Sequence, residues 1–496
     1  MKTPGEQALL QGTCKYFLRT GKLPVSMPQF NNTILLAFFN YFICNLQLFL
    51  DKYFSCCTIY PLFLCGSRRK GRRRTGSYME RSFAGGSKSP IDIDNTGGVI
   101  MMDIFEGTRI IDFTNTVSGP VCTMLMGDMG AEVIKVERPG TGDEARFFPP
   151  YKDGMSASFV VMNHGKKSLT LDMRKPEGVQ LFKELVAASD VLVENFRPGV
   201  MKKLGIDYDT LCQINPRLVM CSISGYGQYG PLSPLPAYDS VIQAASGLMS
   251  TTGFPENPPV RAGTLIMDMA SSMFSAYAIA AALYGREKSG RGDYIDIAMY
   301  DVAVQFLEAK FMDYTINKKM SPRTGNRYPF VTPFDTYKTS DGHIMIICAG
   351  DHTFKMLAGA MGRPELADDE RFKDFMKRNA NEPALKEIIE QWTGAYTTKE
   401  LWNILIENGV PGAPVHSVQD VIEHPHTRER GLLQELEQPG AGTFTIPGPA
   451  YKARNSVMKA RGPAPKLGEH NESVIRDILG KKPEEYVKIK SSGILG

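Results

Sequence analysis

From Thr108 onward the chain alternates short apolar, β-branched runs with stretches whose apolar positions recur every three or four residues. The runs are RIIDF, EVIKVE, SLTLDM, DVLVENF and RLVMCSISGYG. Helical pattern runs through CTMLMGDMG, over Pro176 to Ser189 and in a short segment after DVLVENF. Strand runs of this kind separated by helices predict an α/β fold built on a parallel sheet with helices on its faces. In such sheets ligands sit beyond the carboxyl ends of the strands. The loops TNTVSGP, ERPGTGD, ENFRPG and SGYGQYGP fall there and are the candidate binding cleft.

The stretch MASSMFSAYAIAAALYGREKSGRGDYIDIAMYDVAVQFL reads as a small-residue helix, a glycine turn, a short strand and a further helix. Its Met and aromatic residues read as core packing. The character changes near SPRTGNRYP. Beyond it TYKTSDGHIMIIC predicts a hairpin turning at Asp341-Gly342, followed by helical segments to about Val421. GTFTIPGP reads as a strand and ESVIRDILG as a last helix. These changes divide the chain into an upstream extension at 1–100, a large domain at 101–320, a smaller α+β domain at 325–422, a return to the large domain at 423–480 and a tail at 481–496.

Composition sets the first hundred residues apart. They hold 13 Lys and Arg against 5 Asp and Glu, so the formal charge of +4 leaves the remaining 396 residues mildly acidic, with no broad nucleic-acid footprint. The apolar segment Thr33 to Leu50 with SRRKGRRR behind it raises a membrane-spanning reading, but Asn40, Asn45 and Gln47 interrupt it. The favoured expectation is that the natural protein begins at Met101 or Met102, immediately before the first clean strand pattern. A membrane anchor and a disordered extension are the alternatives. Residues 101–496 are expected to make no stable membrane association. Their four cysteines, Cys122, Cys212, Cys221 and Cys348, have no metal-ligand or C-x-x-C spacing, which points to reduced thiols in a cytoplasmic protein.

No P-loop, G-x-G-x-x-G after the first strand, H-E-x-x-H or G-x-S-x-G appears, and the seven histidines show no ligand spacing, so no metal is expected. One acid stands out by its setting: Glu256 in TTGFPENPP, on a bend stiffened by three prolines.

Ten ordered motifs, among them GTRIIDFTNTVSGPVCTMLMGDMGAEVIKVERPGTGDEAR, NHGKKSLTLDMRKPEG, DVLVENFRPGVMKKLGID, AYDSVIQAASG, GRGDYIDIAMYD and NGVPGAP, resemble the class III CoA-transferase family over nearly all of 104–480. The resemblance implies a Rossmann-like large domain, a small domain, an interlocked homodimer, coenzyme A delivered as an acyl-CoA substrate, and a free carboxylic acid as acceptor. It places the catalytic carboxylate at Asp268, at the start of the small-residue helix. That acid would attack the thioester to give a mixed anhydride and then an enzyme-CoA thioester. A helix N-terminus should favour its ionised form. Glu256 then reads as part of a connector leading to Asp268.

The same resemblance maps the CoA path. Val117 and Ser118 fall in its first loop and Arg138 near the nucleotide phosphates. Leu171, Asp172, Met173 and Arg174, with Asn195, Phe196 and Arg197, fall at the strand ends around adenine and pantetheine. Lys203 is a further phosphate contact, and Pro236, Ala237, Tyr238 and Asp239 pass the pantetheine arm. Ser224 to Gly227 line the inner cleft. In the related methylacyl-CoA racemases a histidine stands where this chain has Tyr238, and tyrosine is a poor base near neutral pH. Racemase is therefore the second reading, and a non-catalytic CoA-binding protein the third. Nothing comparable to the long glycine-rich loop of the formyl-CoA branch lies between Met312 and Thr339.

Overall fold

The computed structural model describes residues 103–496, so the expectations for residues 1–100 lie outside the described residues. Strand β1 (Arg109–Phe113) passes through TNTVSGP into helix α1 (Ser118–Asp128) and strand β2 (Glu132–Glu137). A hairpin of two-residue strands, β3 (Tyr151–Lys152) and β4 (Met155–Ser156), leads to α2 (Ala157–Asn163) and β5 (Lys167–Thr170). Then come α3 (Pro176–Ala187), β6 (Val191–Glu194), α4 (Val200–Lys203), α5 (Tyr208–Ile214), β7 (Val219–Ser224), α6 (Asp239–Ala245), α7 (Ile266–Ser289) and β8 (Tyr294–Ala298).

Six of these strands form one sheet in the order β5-β2-β1-β6-β7-β8, every neighbouring pair parallel. The order runs one way from β1 to β5 and the other way from β6 to β8. The order therefore reverses between β1 and β6, the position at whose carboxyl edge open α/β sheets take ligands. Period-2 alternation sends Ile110, Val133, Val191, Val193, Val219 and Cys221 to the face packed by α1 and α7. Ile111, Ile134, Leu192 and Met220 go to the opposite face, under α3 and α5. Burial on both faces is why the strands read as continuous apolar runs.

Helix α7 is long and apolar enough to cross a membrane by length and composition. Its Ile279 and Leu283 instead pack into the core on the sheet. Buried Ser271, Ser272 and Ser275 are small enough to let it lie against α1. It ends at Gly290 in the left-handed region, φ 71°. Two residues on, a Cβ at Gly292 would stand 1.9 Å from the Leu218 carbonyl oxygen, so only glycine fits the step into β8.

Helices α8 (Met299–Gln305) and α9 (Glu308–Asn317) lead to a second sheet. The hairpin β9 (Phe334–Lys338) and β10 (His343–Ile347) turns at Asp341-Gly342, closed by the Thr339 N–H donating to the Gly342 carbonyl at 3.0 Å. Helices α10 (Asp351–Ala360), α11 (Phe375–Ala380), α12 (Glu382–Thr393) and α13 (Thr398–Glu407) pack on it before β11 (Gly412–Pro414) joins antiparallel to β10. Ile344, Ile346, Phe354, Leu385 and Leu401 form a core of their own. After α14 (Val418–Glu423) and α15 (Pro425–Glu429), the hairpin β12 (Leu433–Gln438) and β13 (Gly442–Pro447) packs Leu436, Phe444 and Ile446 on Phe159 and Val160 of α2.

The helix expected over ESVIRDILG is one turn, α16 (Asn471–Ser473), running into a wider π-type turn over Val474–Ile478. A further helix, α17 (Pro483–Ser491), lies in the segment read as a tail. Its Pro at the start, acids in the first turn and lysines in the last are favourable helix ends that the apolar pattern alone did not reveal.

Beneath TNTVSGP the sheet carries buried charge. The Lys135 ammonium lies 2.8 Å from Asp143 and 3.7 Å from Asp112, and donates to the Thr114 carbonyl at 3.0 Å. Lys166 donates to Asp112 at 2.7 Å and to the Pro120 carbonyl at 2.8 Å. Burial works against the Asp112 charge, but the two lysines outweigh it and hold the carboxyl well below the usual range. Burial pushes Lys166 down to about 8 against the pull of Asp112. Replacing Lys135 by Met leaves two buried carboxylates short of their partner and should cost about 3–5 kcal/mol, read as a lowered denaturant midpoint.

Candidate active site

The first turn of α7 carries Asp268, half-buried at the carboxyl edge of the sheet. The helix start is capped from outside. Asp239, at the start of α6 and 2% exposed, accepts from the N–H groups of Met267 (2.7 Å) and Asp268 (3.2 Å) through one carboxylate oxygen. The other oxygen takes the Gln243 amide at 2.5 Å, and Gln243 in turn accepts from the Ala262 N–H at 2.9 Å. Asp239 thus fixes where α7 begins and how Asp268 is aimed.

Beside Asp268, Ser118 opens α1. The Ser272 hydroxyl lies 2.7 Å from both the Ser118 and the Asp268 carbonyl oxygens, joining the two helices one turn into α7. Asn195 and Asn115 exchange hydrogen bonds of 2.8 Å, which tie the loop after β6 to the loop after β1. The same Asn195 amide reaches the Ser118 hydroxyl at 3.4 Å. The Thr116 N–H donates to Asp143 at 3.0 Å, fixing the loop to the charge cluster below while Thr116 itself holds φ +67°.

Burial pushes the Asp268 carboxyl up to about 7 and the Asp239 charge adds to it, while a hydrogen bond with Ser118 pulls the other way. The ionised form expected from the helix N-terminus is therefore not strongly favoured. The reason is burial first, and beside it Asp239, which has already taken first-turn N–H groups and placed a negative charge next to them.

The other expected site residues divide by environment. Leu171 is buried in the core and Met173 packs against it, while Phe196 stands edge-on to Phe113 at 4.7 Å. Asp172 holds Arg174 through two bonds, Nε at 2.8 Å and a terminal nitrogen at 2.9 Å. Arg138, Arg197 and Lys203 are exposed on the loops after β2 and β6 and on α4. Val117 is half-buried. Pro236 is exposed, Tyr238 is 76% exposed, and Ala237 presses on Gly225, where a Cβ would lie 2.2 Å from its own. Ser224 caps the SGYG turn, accepting from the Gly227 N–H at 3.0 Å.

Glu256 is exposed, and its loop is held by Arg323, which donates to the carbonyls of Phe254, Pro255 and Asn257.

Sequence reasoning missed Glu194, buried at the end of β6 beside Ser222 and pushed up to about 7 by burial, with Asp296 adding. It accepts from the Phe196 N–H at 2.8 Å and so shapes the strand end. Burial raises the thiols of Cys122, Cys221 and Cys348, the last two to about 12, so none is a ready nucleophile. Among the described residues no three His, Cys, Asp or Glu side chains gather as metal ligands.

Residues 105–471 match the model of CoA-transferase family III. The chain belongs to that family. It is 39% identical over 376 residues to the acetyl-CoA:oxalate CoA-transferase of Acetobacter aceti, covering 75% of this chain and 95% of that protein. It is 35% identical to the succinyl-CoA:glutarate CoA-transferase of Mus musculus, covering 79% and 91%. A crystal structure of a CAIB/BAIF family protein from Brucella suis superposes with a TM-score of 0.68 at 34% identity, over 76% of this chain and 99% of that one. This family III enzyme transfers CoA between a thioester and a free carboxylic acid.

The raised Asp268 carboxyl has a signature in stability. Its proton is held more tightly in the folded than in the unfolded chain, so ionising it destabilises the fold above about pH 7 and has no effect below about pH 4, where both states are protonated. Asp268→Asn should therefore raise Tm at pH 8 by a few degrees and leave it within about 1 °C at pH 4, checked by calorimetry at both pH values.

Proposed function

We propose that Asp268 is the nucleophile of a CoA transfer that runs through covalent aspartyl intermediates. The observation that carries this reading is its placement: a half-buried carboxylate on the first turn of α7, facing Ser118 where the sheet order reverses, and in no ion pair among the described residues. One Asp268 oxygen attacks the thioester carbonyl carbon, the C–S bond breaks, and the CoA thiolate leaves with its electron pair. The thiolate then attacks the Asp268 carbonyl carbon of the mixed anhydride, releasing the donor acid and leaving an aspartyl-CoA thioester. The acceptor carboxylate attacks that thioester, and the thiolate released a second time attacks the acceptor's carbonyl, freeing Asp268. No net proton moves, so the chemistry requires rigid aim and exclusion of water rather than a general base. Asp239, Ser272 and the Asn115–Asn195 pair supply the aim.

CoA is assigned to the carboxyl edge of β5, β2, β1 and β6. Arg138, Arg197 and Lys203 offer exposed positive charge to the phosphates, and the ends at Leu171–Arg174 and Asn195–Phe196 form the flanks. The loop at Val117 and Ser118 and the segment Pro236–Tyr238 line the path toward Asp268. The strand order, with its reversal between β1 and β6, supports a Rossmann-like description of this part. The acids in the names of the two relatives, oxalate, succinate and glutarate, are dicarboxylates, and a dicarboxylic acid is the proposed substrate class. A racemase would need a proton carrier opposite Asp268. Tyr238, a poor base near neutral pH, and the use of Asp239 as a helix cap argue against one.

A homodimer and a cytoplasmic location complete the proposal. Phe274, Tyr277, Phe306, Phe311 and Met320 are large apolar side chains left exposed, and this supports a second copy of this chain as the cover. The described cysteines are all unpaired, as suits a reducing compartment.

Incubation with a panel of acyl-CoA donors and trapping with hydroxylamine or borohydride should modify Asp268, read by peptide mass spectrometry; modification at Glu256 or nowhere would overturn the assignment. Asp268→Ala should lower kcat by about 10³-fold or more, whereas Glu256→Gln should stay within about twofold. Because the ionised carboxylate is the attacking form, kcat/KM should fall about tenfold per pH unit below an apparent pKa of about 7.

A further inference from the structure

The family match ends at residue 471, yet the chain beyond it is built into the sheet. Val474, Ile475, Ile494 and Leu495 are buried with Leu171, Leu181 and Phe182 in one core. Strand β5 lies at the border of the sheet, and the later chain covers its outer side at alternate positions. The Ser168 N–H donates to the His470 ring at 3.2 Å and the Thr170 N–H to the Asn471 side chain at 2.8 Å. The Asp172 N–H donates to the Ile494 carbonyl at 2.8 Å. The Thr170 hydroxyl donates to the Leu495 carbonyl and accepts from the Asn471 amide at 2.8 Å.

Two further contacts carry this segment to the loops assigned to CoA. Lys175, next to Arg174, donates to the carbonyls of Ser492 (3.0 Å) and Gly493 (3.2 Å). Gly496 lies against Pro139, beside Arg138, so closely that a Cβ on it would stand 2.6 Å from the Pro139 Cβ. A cavity of ≈ 470 Å³ opens at this junction, lined by Gly140 and Thr170 on one side and by Tyr486, Lys490 and Gly496 on the other. One short stretch of chain therefore touches both the end of β5 and the loop after β2, the two places where the nucleotide half of CoA is assigned.

We propose that residues 492–496 are positioning residues of the CoA site, a strap that sets the spacing between the Asp172–Arg174 strand end and the Arg138 loop for the nucleotide half of CoA. The proposal rests on the assignment of CoA to these loops. The strap touches neither Asp268 nor the thioester, so it governs affinity for CoA and leaves the covalent chemistry intact once CoA is bound.

Calorimetric titration with free CoA tests it, on the full chain, a variant lacking residues 493–496, Thr170→Val and Thr170→Ser. Each is measured at a temperature where circular dichroism shows it folded. The expected result is a Kd raised about tenfold in the shortened variant and about threefold in Thr170→Val, with Thr170→Ser, which keeps the hydroxyl, within twofold of the full chain. A segment that only stabilises the fold would lower Tm and leave Kd unmoved. Values within twofold for both the shortened variant and Thr170→Val overturn the strap. Should the shortened variant fail to fold, the Val and Ser pair decides alone. A full chain that binds no CoA overturns the assignment of CoA to these loops, and the strap with it.

Discussion

The loop that leads from β1 into α1 depends on one buried ammonium group. Lys135 stands on β2 with no exposure and holds Asp112 of β1, Asp143 of the following loop and the Thr114 carbonyl at once. Removing so much charge from water is costly and is tolerated only because each group has partners of opposite sign at hydrogen-bond distance. What the cluster supplies is conformational definition. With Thr114 and Thr116 bonded to it, the loop between β1 and α1 has one conformation. Ser118 has one position, and Asp268 a fixed neighbour.

That order of support runs from charge cluster to loop to helix start to the Asp268 carboxyl at the edge of the sheet. It also separates two jobs that acids share here. Asp239 is spent as a structural cap, and its charge adds to burial in making its neighbour harder to ionise; Asp268 caps nothing and meets Ser118 instead.

Much of this was legible in the chain. The five strand runs, the four edge loops and the turn at Asp341-Gly342 are local patterns, and they came out where the periodicity put them. Asp268 was reached through the ordered motifs around it, since an acid at a helix start is by itself an ordinary cap. The contacts that decide its behaviour were not legible. Asp239 precedes Asp268 by 29 positions, and its role as cap exists only when α6 and α7 meet. Glu194 sits in a run that reads as plain strand, and its burial comes from strands and helices far along the chain. Helix α17 has sound helix ends but a weak apolar stripe, and Ile494 and Leu495 gain their meaning from Leu171 and Phe182, more than three hundred positions earlier.

The cover over β5 has a consequence for how the molecule behaves in company. A border strand with open N–H and carbonyl groups is a template on which any extended chain can pair. Here His470, Asn471 and Ile494 occupy that template in turn. These residues keep crowded neighbours from stacking strand on strand. Proteolytic nicking beyond residue 468 would then lay that border strand open to pairing with other chains.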